Sequence, residues 1–457
     1  MILMLLLNSA YRVLSWKDTA GEYYSSVNSY YDLEKDVVDV LFLGSSHCYC
    51  SVDNSLLWNN YGIASFSLAI SGQDLASTYY TLVEALKTQK PEVICVEIYY
   101  AVTGGYQVIG NLYRNTLPFR MSINSLNAIR AMVKDDDPLD YWFKWPIIHT
   151  RYAELQREDF QRKLPIYIGY QAGFHTQSVW EASPYQDQEP IPVSEENEQY
   201  IRQIIELAEK EGIEICFFVA PYAADETAQG MFCYVEEIAR EYDVDFLNLT
   251  RSREGLSLNV NTDFTDWAHT NHYGAEKVTS FLGEYLSSKY VLPDRRGDDR
   301  YELWEEDAIA RQHEVRNHQL LLSTSDVGSY LGYIGSLEGY TFIVSTKGNY
   351  LSEDVDLSAS LPAAGIGGEF FDGHHVWVFE DGELLYLSEG EEFLHYADLG
   401  HSEYVVSGSR EDPRVHIDRV EYGKVSDGIN IVVYDNVLEK VVDAIGFSGQ
   451  QQYAPVR

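Results

Sequence analysis

Short apolar runs alternate with segments that carry apolar residues at helical spacing over about the first 290 residues. The runs predict strands over 39–44, 62–69, 92–100, 213–221 and 244–250, and the periodic segments predict helices over 75–89, 194–212, 231–242 and 273–290. Strands that alternate with helices are joined by crossovers rather than by hairpins. The pattern therefore predicts an α/β domain built on a doubly wound parallel sheet.

Residues 101–193 interrupt this alternation between the third strand and the helix for which Ser194 is the predicted N-cap. A stretch of that length is far longer than an ordinary crossover loop. We interpret it as an inserted cap over the edge of the sheet. The sheet domain then spans residues 36–291 and follows an N-terminal segment, residues 1–35.

The pattern changes after the sheet domain. Residues 292–334 are largely charged and polar, which predicts a linker that runs into a helix. From residue 335 to 450, short runs of alternating polarity are separated by Gly and Asp-Gly, which is typical of strands and tight turns. The sequence therefore predicts a second, β-rich α+β domain.

The composition is strongly acidic, with 71 Asp and Glu, 33 Lys and Arg, a formal charge of −38 and 45% hydrophobic residues. The hydrophobic content is that of a globular protein. Because a negative chain repels a phosphate backbone, the charge argues against a nucleic-acid partner. The acidic residues are spread along the whole chain, as in a solvated surface, and they do not identify a substrate. The five cysteines are odd in number and scattered, and do not suggest a disulfide framework.

The chain starts with "MILMLLLNSAYRVLSWK", in which residues 2–7 are apolar. A membrane-spanning helix needs about 20 apolar residues. A signal peptide needs a basic start and a longer apolar core. Two interpretations stay open: the end of a membrane anchor that starts upstream, or a loosely packed N-terminal helix. The first would give membrane association through the N-terminus.

The first predicted strand ends on "GSSH", residues 44–47. In an open parallel sheet, ligands bind at the carboxyl ends of the strands. Gly44 allows a tight turn there, and the next residues would start a helix whose free N–H groups favour negative charge. A serine at this place is either a helix cap or a group that takes part in chemistry.

A second polar cluster, "DFTDWAHTNHYG", follows the fifth predicted strand. Asp266 and His269 lie three residues apart in it, at the same edge of the sheet as "GSSH". A serine hydroxyl becomes a nucleophile when a base removes its proton. His269 can be that base, and Asp266 can hold the tautomer of the imidazole and stabilise its cation.

Together the two blocks resemble the SGNH/GDSL hydrolase superfamily, which has Gly-Asp-Ser in its first block and Asp-x-x-His in its last. Ser45 takes the place of the aspartate, so the resemblance assigns Ser46 as nucleophile, with Asp266 and His269 completing the triad. It covers residues 36–290 and implies a flavodoxin-like fold without a cofactor. The variants "FLGSSH" and "DxxHxNxxG" are most similar to the cell-envelope branch of DltD-like and alginate O-acetylation-like proteins.

The resemblance also implies donors for an oxyanion. Gly72 of "ISGQD" matches the glycine after the second strand, beside the backbone N–H of Ser46, and the Gln73 side chain could add a donor. The segment after the third strand, "VEIYYAVTGG", lacks the asparagine of the family, and losing such a donor costs about 10²–10³-fold in rate. Either the insert supplies a substitute, or the chemistry is slower or different. Glu97 in this segment is either a functional acid or a buried structural glutamate.

Other histidines have weaker claims to a role. "HTRYAEL" in the insert resembles a stretch of the cell-envelope branch, which implies that His149 lines the cleft and Arg151 binds an anionic group; both are alternatively ordinary surface or packing residues. His47 follows the nucleophile and is expected to point away from it. The sequence shows no zinc-type spacing and no phosphate-binding glycine loop, so no metal is predicted.

The C-terminal stretch "DGINIVVYDNVLEKVVDAIGF" resembles the interleukin-like EMT inducer domain over about residues 335–450. Gly428, Asn430, Asp435 and Asp443 match its pattern. The resemblance implies a small β-sandwich-like domain with a helix, and some relatives bind glycans.

The sequence thus predicts a serine-dependent acyl-ester hydrolase or O-acyltransferase of the cell envelope or extracellular space, with an acylated polysaccharide or other glycan as partner. O-acetyl groups are the expected substrate, and the oligomeric state stays open. One competing class is a non-catalytic glycan-binding or assembly protein on a degenerate fold, which the absent asparagine favours. An Asp/His metal hydrolase is a third, weaker interpretation.

Overall fold

The structure is a computed structural model. It describes residues 30–31, 33–103, 114–116, 119–134, 137–142, 145, 149–153, 155, 166–171, 173–185, 188–348, 360–367, 374–400, 402–409, 411–448 and 454–457, together with 10, 13 and 14. The chain divides into two compact units, Met1–Ala308 and Ile309–Arg457. The apolar block at residues 2–7 lies outside the described residues.

The first unit contains a five-stranded parallel sheet. Its strands are β1 (Val40–Gly44), β2 (Ser65–Ala69), β3 (Val93–Glu97), β4 (Glu214–Val219) and β5 (Asp245–Asn248), in the order β2-β1-β3-β4-β5. This is the flavodoxin-like, doubly wound order, and it confirms the predicted fold class. The strands β1, β2 and β3 are buried along their whole length, which explains why their sequences are apolar runs without alternation.

Helices flank the sheet and connect its strands. They are α1 (Ser46–Ser51), α2 (Asn54–Tyr61), α3 (Leu75–Ala85), α4 (Ile123–Met132), α5 (Pro138–Trp142), α6 (Glu195–Glu211), α7 (Glu226–Glu241) and α8 (His272–Lys289). The predicted cap of α6 is present, because the Ser194 hydroxyl accepts from the N–H of Asn197 at 3.1 Å. At its other end Gly212 is left-handed, with φ +68°.

Two predicted elements differ from those observed. Strand β3 stops at Glu97 rather than continuing to residue 100, because the chain turns into a 3₁₀ segment, Tyr99–Ala101. Helix α7 starts at Glu226, several residues before the predicted 231, because the Asp225 side chain caps it by accepting from the N–H of Ala228 at 2.8 Å. The sequence pattern locates these elements but not their ends.

The described part of the insert contains α4, α5 and two 3₁₀ segments, His149–Ala153 and Ile166–Gly169. Ala128 and Met132 of α4 form an apolar cluster with Ala76 of α3 and Phe119. Residues 114–116 are also helical, and the other described residues of 102–193 are mostly irregular. The insert therefore joins the layer of helices on the sheet through an apolar cluster of its own.

The second unit is antiparallel. Its strands are β6 (Tyr340–Lys347), β7 (Val376–Glu380), β8 (Glu383–Leu387), β9 (Glu392–Leu399), β10 (Ser402–Ser409), β11 (Pro413–Ile417), β12 (Val420–Glu421), β13 (Gly428–Asp435), β14 (Lys440–Ser448) and β15 (Ala454–Val456). They form a sheet of order β15-β14-β13-β6-β7-β8 and a second sheet of order β12-β11-β10-β9. The β-rich character predicted for this half of the chain is confirmed.

The stretch 292–334 is mostly helical. It contains α9 (Glu302–Arg316), a π-helical segment (Asn317–Leu322) and α10 (Val327–Ile334), and a short α11 (Ser360–Ala363) follows later. The division between the units falls within α9, after Ala308. Because Tyr330 and Leu331 of α10 are buried in the core of the second unit, that unit begins earlier than residue 335.

The three polar positions behind the resemblance to the interleukin-like EMT inducer domain make hydrogen bonds within the second unit. Asn430 accepts from the N–H groups of Lys424 and Val425, each at 2.8 Å. The buried Asp435 accepts from Asn317 Nδ2 at 2.8 Å, and Asp443 accepts from Tyr330 Oη at 2.7 Å. The resemblance itself stays a prediction.

No helix within the described ranges is long and apolar enough to cross a membrane.

Candidate active site

The turn after β1 explains the glycine and serines of "GSSH". Gly44 has φ +146°, and a Cβ atom added there would lie 2.7 Å from Glu97 Cβ, so only glycine fits. The Ser45 hydroxyl caps α1 by accepting from the N–H of His47 at 3.3 Å. Ser46 is therefore the first residue of α1, and it lies partly exposed at the carboxyl end of β1.

Ser46, His269 and Asp266 form a chain of hydrogen bonds. His269 Nε2 lies 2.8 Å from Ser46 Oγ, and His269 Nδ1 lies 3.0 Å from both carboxylate oxygens of Asp266. With Asp266 accepting from Nδ1–H, Nε2 is free to accept from the serine hydroxyl. The side chains of His269 and Asp266 are 25% and 43% exposed, so the site is open to solvent. The structure thus brings together the three residues that the sequence predicted.

A tight loop holds the acid and the base at this distance. Phe264 and Thr270 form an antiparallel bridge at its base, and the N–H of Thr265 donates to His269 O at 3.0 Å. Asp266 Oδ1 also accepts from the N–H groups of Ala268 and His269, at 2.8 and 3.0 Å. These bonds fix the carboxylate before it meets the imidazole, which is the pre-organisation a general base needs.

Glu97 lies buried at the carboxyl end of the central strand β3. Its carboxyl accepts from Ser45 Oγ at 3.3 Å, from the N–H of Tyr99 at 2.9 Å, and from the N–H groups of Ala220 and Ser45. Burial raises the pKa of Glu97 to about 8, against the opposing effect of these donors. Of the two roles left open for this residue, the contacts support the structural one: it joins the loops that follow β1, β3 and β4.

His47 was expected to point away from the nucleophile, and that prediction is wrong. Its buried ring stacks on Tyr99, with centroids 3.6 Å apart, and lies 4.9 Å from the ring of His269 and 5.5 Å from that of Tyr222. Burial, with a smaller effect of His269, holds the pKa of His47 well below its usual value. His47 Nδ1 has no hydrogen-bond partner among the described residues. A neutral imidazole therefore forms one wall beside the base.

The loop after β2 carries the two other predicted oxyanion donors. Gly72 is left-handed, with φ +69°, as a tight turn at this edge requires. The Gln73 side chain is buried, and its Nε2 donates to Leu68 O at 3.5 Å and to Thr78 Oγ1 at 3.3 Å. Leu68 belongs to β2 and Thr78 to α3, so the side chain bonds to the two elements that flank the loop. The donor role predicted for Gln73 stays a prediction.

Asn115 of the insert reaches this same loop, which the sequence analysis missed. Its Nδ2 donates to Ser71 O at 3.2 Å, and its Oδ1 accepts from Ser77 Oγ at 2.9 Å. The buried amide thus supports the backbone next to Gly72. No periodicity or motif in the sequence identifies Asn115, because its contacts depend only on the path that the insert takes.

The two weaker candidates lie in a 3₁₀ segment of the insert. His149 is exposed, and its Nδ1 lies 3.1 Å from Trp145 O. Arg151 is buried, and its guanidinium donates to Leu14 O at 3.3 Å. Their predicted contact with substrate stays a prediction. Across the described ranges, no group of three or more His, Cys, Asp or Glu side chains is arranged to hold a metal ion.

No family model and no curated protein matches this chain. Among solved structures, a proposed acylhydrolase from Bacteroides fragilis is similar at 9% identity and a TM-score of 0.30, over 60% of this chain and 98% of the other. A GDSL-like lipase from Bacteroides thetaiotaomicron is similar at 12% identity and a TM-score of 0.32, over 59% of this chain and 99% of the other. A gut microbial diltiazem-metabolizing enzyme is similar at 16% identity and a TM-score of 0.20, over 54% and 46%. Similarity at this level carries no conclusion about the activity of this chain.

Proposed function

We propose that this chain is a serine-dependent acyl-ester hydrolase or O-acyltransferase that acts on O-acetyl groups of a polysaccharide. One observation carries the proposal: the hydrogen-bond chain from Asp266 through His269 to Ser46, with 2.8 Å between His269 Nε2 and Ser46 Oγ. A serine hydroxyl is a weak nucleophile until a base takes its proton, and this geometry supplies the base and the group that orients it.

In the proposed first half-reaction, Ser46 Oγ attacks the acyl carbonyl carbon and its proton passes to His269 Nε2. The tetrahedral intermediate then collapses, the bond to the alcohol oxygen breaks, and His269 returns the proton to the leaving alcohol. The acyl group is now on Ser46. Asp266 keeps the imidazole in the required tautomer and stabilises its cation.

In the second half-reaction, His269 takes a proton from the acceptor oxygen, which attacks the acyl carbon. The bond between the acyl carbon and Ser46 Oγ then breaks, and His269 returns the proton to Ser46 Oγ. Water as the acceptor gives hydrolysis, and a sugar hydroxyl gives transfer. We assign the negative oxygen of both intermediates to the backbone N–H groups of Ser46 and Gly72. Such donors act on charge that appears only as the reaction proceeds, so they stabilise the transition state selectively.

The competing function is a glycan-binding protein without catalysis. The observation that favours it is the segment after β3, where Tyr99 stands in a 3₁₀ turn and packs on His47, and where the family asparagine is absent. We favour the enzyme, because a decayed site has no need to retain the bonds among Asp266, His269 and Ser46.

Labelling with a fluorophosphonate probe tests the proposal. The probe reacts with an activated serine, so the wild-type chain should be labelled and Ser46→Ala should not. Ser45→Ala is the matched control: it removes the neighbouring hydroxyl, and a cap contribution of about 1 kcal/mol, but should keep labelling. Absence of labelling in a folded wild-type chain would favour the glycan-binding alternative.

The proposed location, the cell envelope or extracellular space, is supported only by the resemblance of "FLGSSH" and "DxxHxNxxG" to the envelope branch. Fractionation of cells that express the chain, with and without residues 1–35, tests both this location and membrane association through the N-terminus.

A further inference from the structure

Two tryptophans are unusually exposed for their size. Within the described residues, Trp180 is 79% exposed and Trp267 is 52% exposed, whereas Trp58, Trp304 and Trp377 are buried. An indole is a large apolar group with one polar handle, and leaving it in water forgoes the stabilisation that its burial would give. Exposed apolar side chains that lie together mark surfaces that a ligand or partner covers, whereas single ones do not.

Trp267 belongs to the loop that carries the acid and the base. It lies between Asp266 and His269 in the chain, and its carbonyl oxygen accepts from the N–H of Ala223 at 3.1 Å. The backbone of this residue is therefore fixed while its indole projects into solvent. The indole thus belongs to the same short loop as the acid and the base.

Trp180 ends a segment that runs along the same loop, residues 173–180. The N–H of Gln177 donates to Phe264 O at 2.8 Å, and the N–H of Val179 donates to Val260 O at 2.9 Å. These two bonds hold the segment against residues 260–264. The second exposed indole thus stands on a strip bonded to the loop that precedes Asp266.

This strip is uncharged. The strip, residues 173–180, contains no Asp, Glu, Lys or Arg, and neither do the seven residues before it, so that "IYIGYQAGFHTQSVW" is uncharged from 166 to 180. The chain as a whole is 23% charged. Its exposed side chains, apart from Trp180, are His175, Thr176, Gln177 and Ser178. These groups donate and accept hydrogen bonds without offering a charge.

We propose that residues 173–180 and Trp267 form a subsite for a neutral polyhydroxyl chain, a polysaccharide without carboxylate, phosphate or sulfate groups. Sugar rings present C–H faces that stack on indoles, and hydroxyls that pair with amide and hydroxyl side chains. A polyanion finds no cation on the strip, and the net charge of −38 repels it as it approaches. The subsite rests on the proposed function, because it names the substrate class of the same site.

Affinity electrophoresis of the full chain tests the subsite. Ser46→Ala serves as the parent, so that the polymer is not consumed, and the gels contain acetylated glucomannan, which is neutral, or acetylated homogalacturonan, a polyuronate. Glucomannan should retard the parent and homogalacturonan should not. Trp180→Ala and Trp267→Ala should each weaken retardation about tenfold, and Trp267→Phe, which keeps a ring, should weaken it less.

Ile123→Ala is the matched control, because Ile123 is 81% exposed on α4 and lies outside the strip and the loop. It should bind glucomannan like the parent. Equal retardation by homogalacturonan, or undiminished glucomannan binding in both tryptophan-to-alanine variants, would overturn the subsite. So would indole-dependent binding to phosphatidylcholine vesicles without any retardation by glucomannan.

Failure of the subsite and failure of the proposed function are distinguishable. Turnover of 4-nitrophenyl acetate and fluorophosphonate labelling by the wild-type chain report on the triad alone. If both are present and glucomannan does not retard the parent, the triad stands and the subsite is wrong. If both are absent and glucomannan binding depends on the indoles, the subsite stands and the chain is a binder.

Discussion

The imidazole of His47 lies against that of His269, with the ring centroids 4.9 Å apart and inclined by 38°. Two imidazoles so close cannot both take a proton without repulsion, and the buried one is the weaker base. His47 therefore stays neutral while His269 takes up and gives back its proton in the proposed reaction. We regard His47 as a positioning residue that confines the base against Asp266.

Replacing His47 tests this role. His47→Ala should leave a cavity that lowers the free energy of unfolding by about 2–4 kcal/mol and lowers kcat about ten- to hundredfold. His47→Phe, which refills the space, should recover most of both, measured by denaturant unfolding and by turnover of a small acetyl ester. Equal losses in the two variants would show that the imidazole itself, rather than its packing, is needed.

The lowered pKa of His47 also sets the direction of a pH effect on stability. The unfolded chain binds a proton at His47 near pH 6.5, and the folded chain binds it only at lower pH. Below about pH 6.5 the unfolded state therefore holds more protons, so the wild type loses stability as the pH falls. In urea unfolding series, the free energy of unfolding of His47→Phe should fall less than that of the wild type as the pH is lowered. Identical slopes for the two proteins would contradict a depressed pKa.

Glu97 should give the opposite dependence. Its pKa is about 8 in the folded chain, above the 4.5 of an ordinary glutamate. Between these values the folded state binds more protons, so its contribution to stability is present at low pH and is lost as the pH rises from 4.5 to 8. The full difference is on the order of 5 kcal/mol. Glu97→Gln should flatten the curve of unfolding free energy against pH over this range.

The matched control for Glu97 is Glu92→Gln. Glu92 is exposed and directly precedes β3, whereas Glu97 ends that strand. The substitution at residue 92 should leave the pH dependence as it is in the wild type. If Glu97→Gln leaves the curve of unfolding free energy against pH unchanged, the Glu97 carboxyl is already ionised at neutral pH.

The triad should fail as a unit. We expect His269→Ala to lose about 10³-fold or more in kcat on small acetyl esters, and Asp266→Asn about 10⁴-fold, because the wrong tautomer then faces Ser46. A steady-state assay sensitive enough to measure these losses in kcat checks both variants, and an unfolding curve for each shows that it is folded. Undiminished turnover in either variant would remove that residue from the mechanism.

Gly44→Ala should be far more disruptive than an alanine elsewhere in the unit. The added Cβ would lie 2.7 Å from Glu97 Cβ at φ +146°, which we expect to cost about 3 kcal/mol or more. Gly212→Ala is the matched control, with φ +68° and nothing within 4 Å of the added atom, and should cost about 1–2 kcal/mol. Thermal unfolding of both variants separates the steric effect from the conformational one.

The boundary of the first unit is testable by truncation. Trp304 is buried in the core of this unit, and its indole N–H donates to Ser65 O at 2.8 Å. A chain that ends at residue 300 loses this side chain, at a cost of about 3–5 kcal/mol, whereas one that ends at Ala308 keeps it. The longer chain should fold and turn over a small ester, and the shorter one should be less stable. A longer chain that is folded yet inert would indicate that the second unit takes part in catalysis.

The sequence by itself determined the sheet and the meeting of Ser46 with Asp266 and His269. Strands buried on both faces are apolar throughout, so they are visible without a structure, and helices between them require parallel pairing. Parallel strands place all their carboxyl ends at one edge. Residues that follow the first and the fifth strand therefore converge, although more than 200 positions separate them.

Only the tertiary structure decided which side chains surround that triad. The segments after the strands decide what packs on the His47 ring and which groups donate to Glu97. The path of the insert brings the Asn115 amide to Ser71 O. These segments have no periodicity. The Gln73 side chain is likewise buried, and its amide bonds to Leu68 of β2 and Thr78 of α3. A contact between loops is set by the elements that anchor them and by close packing, neither of which leaves a local pattern in the chain.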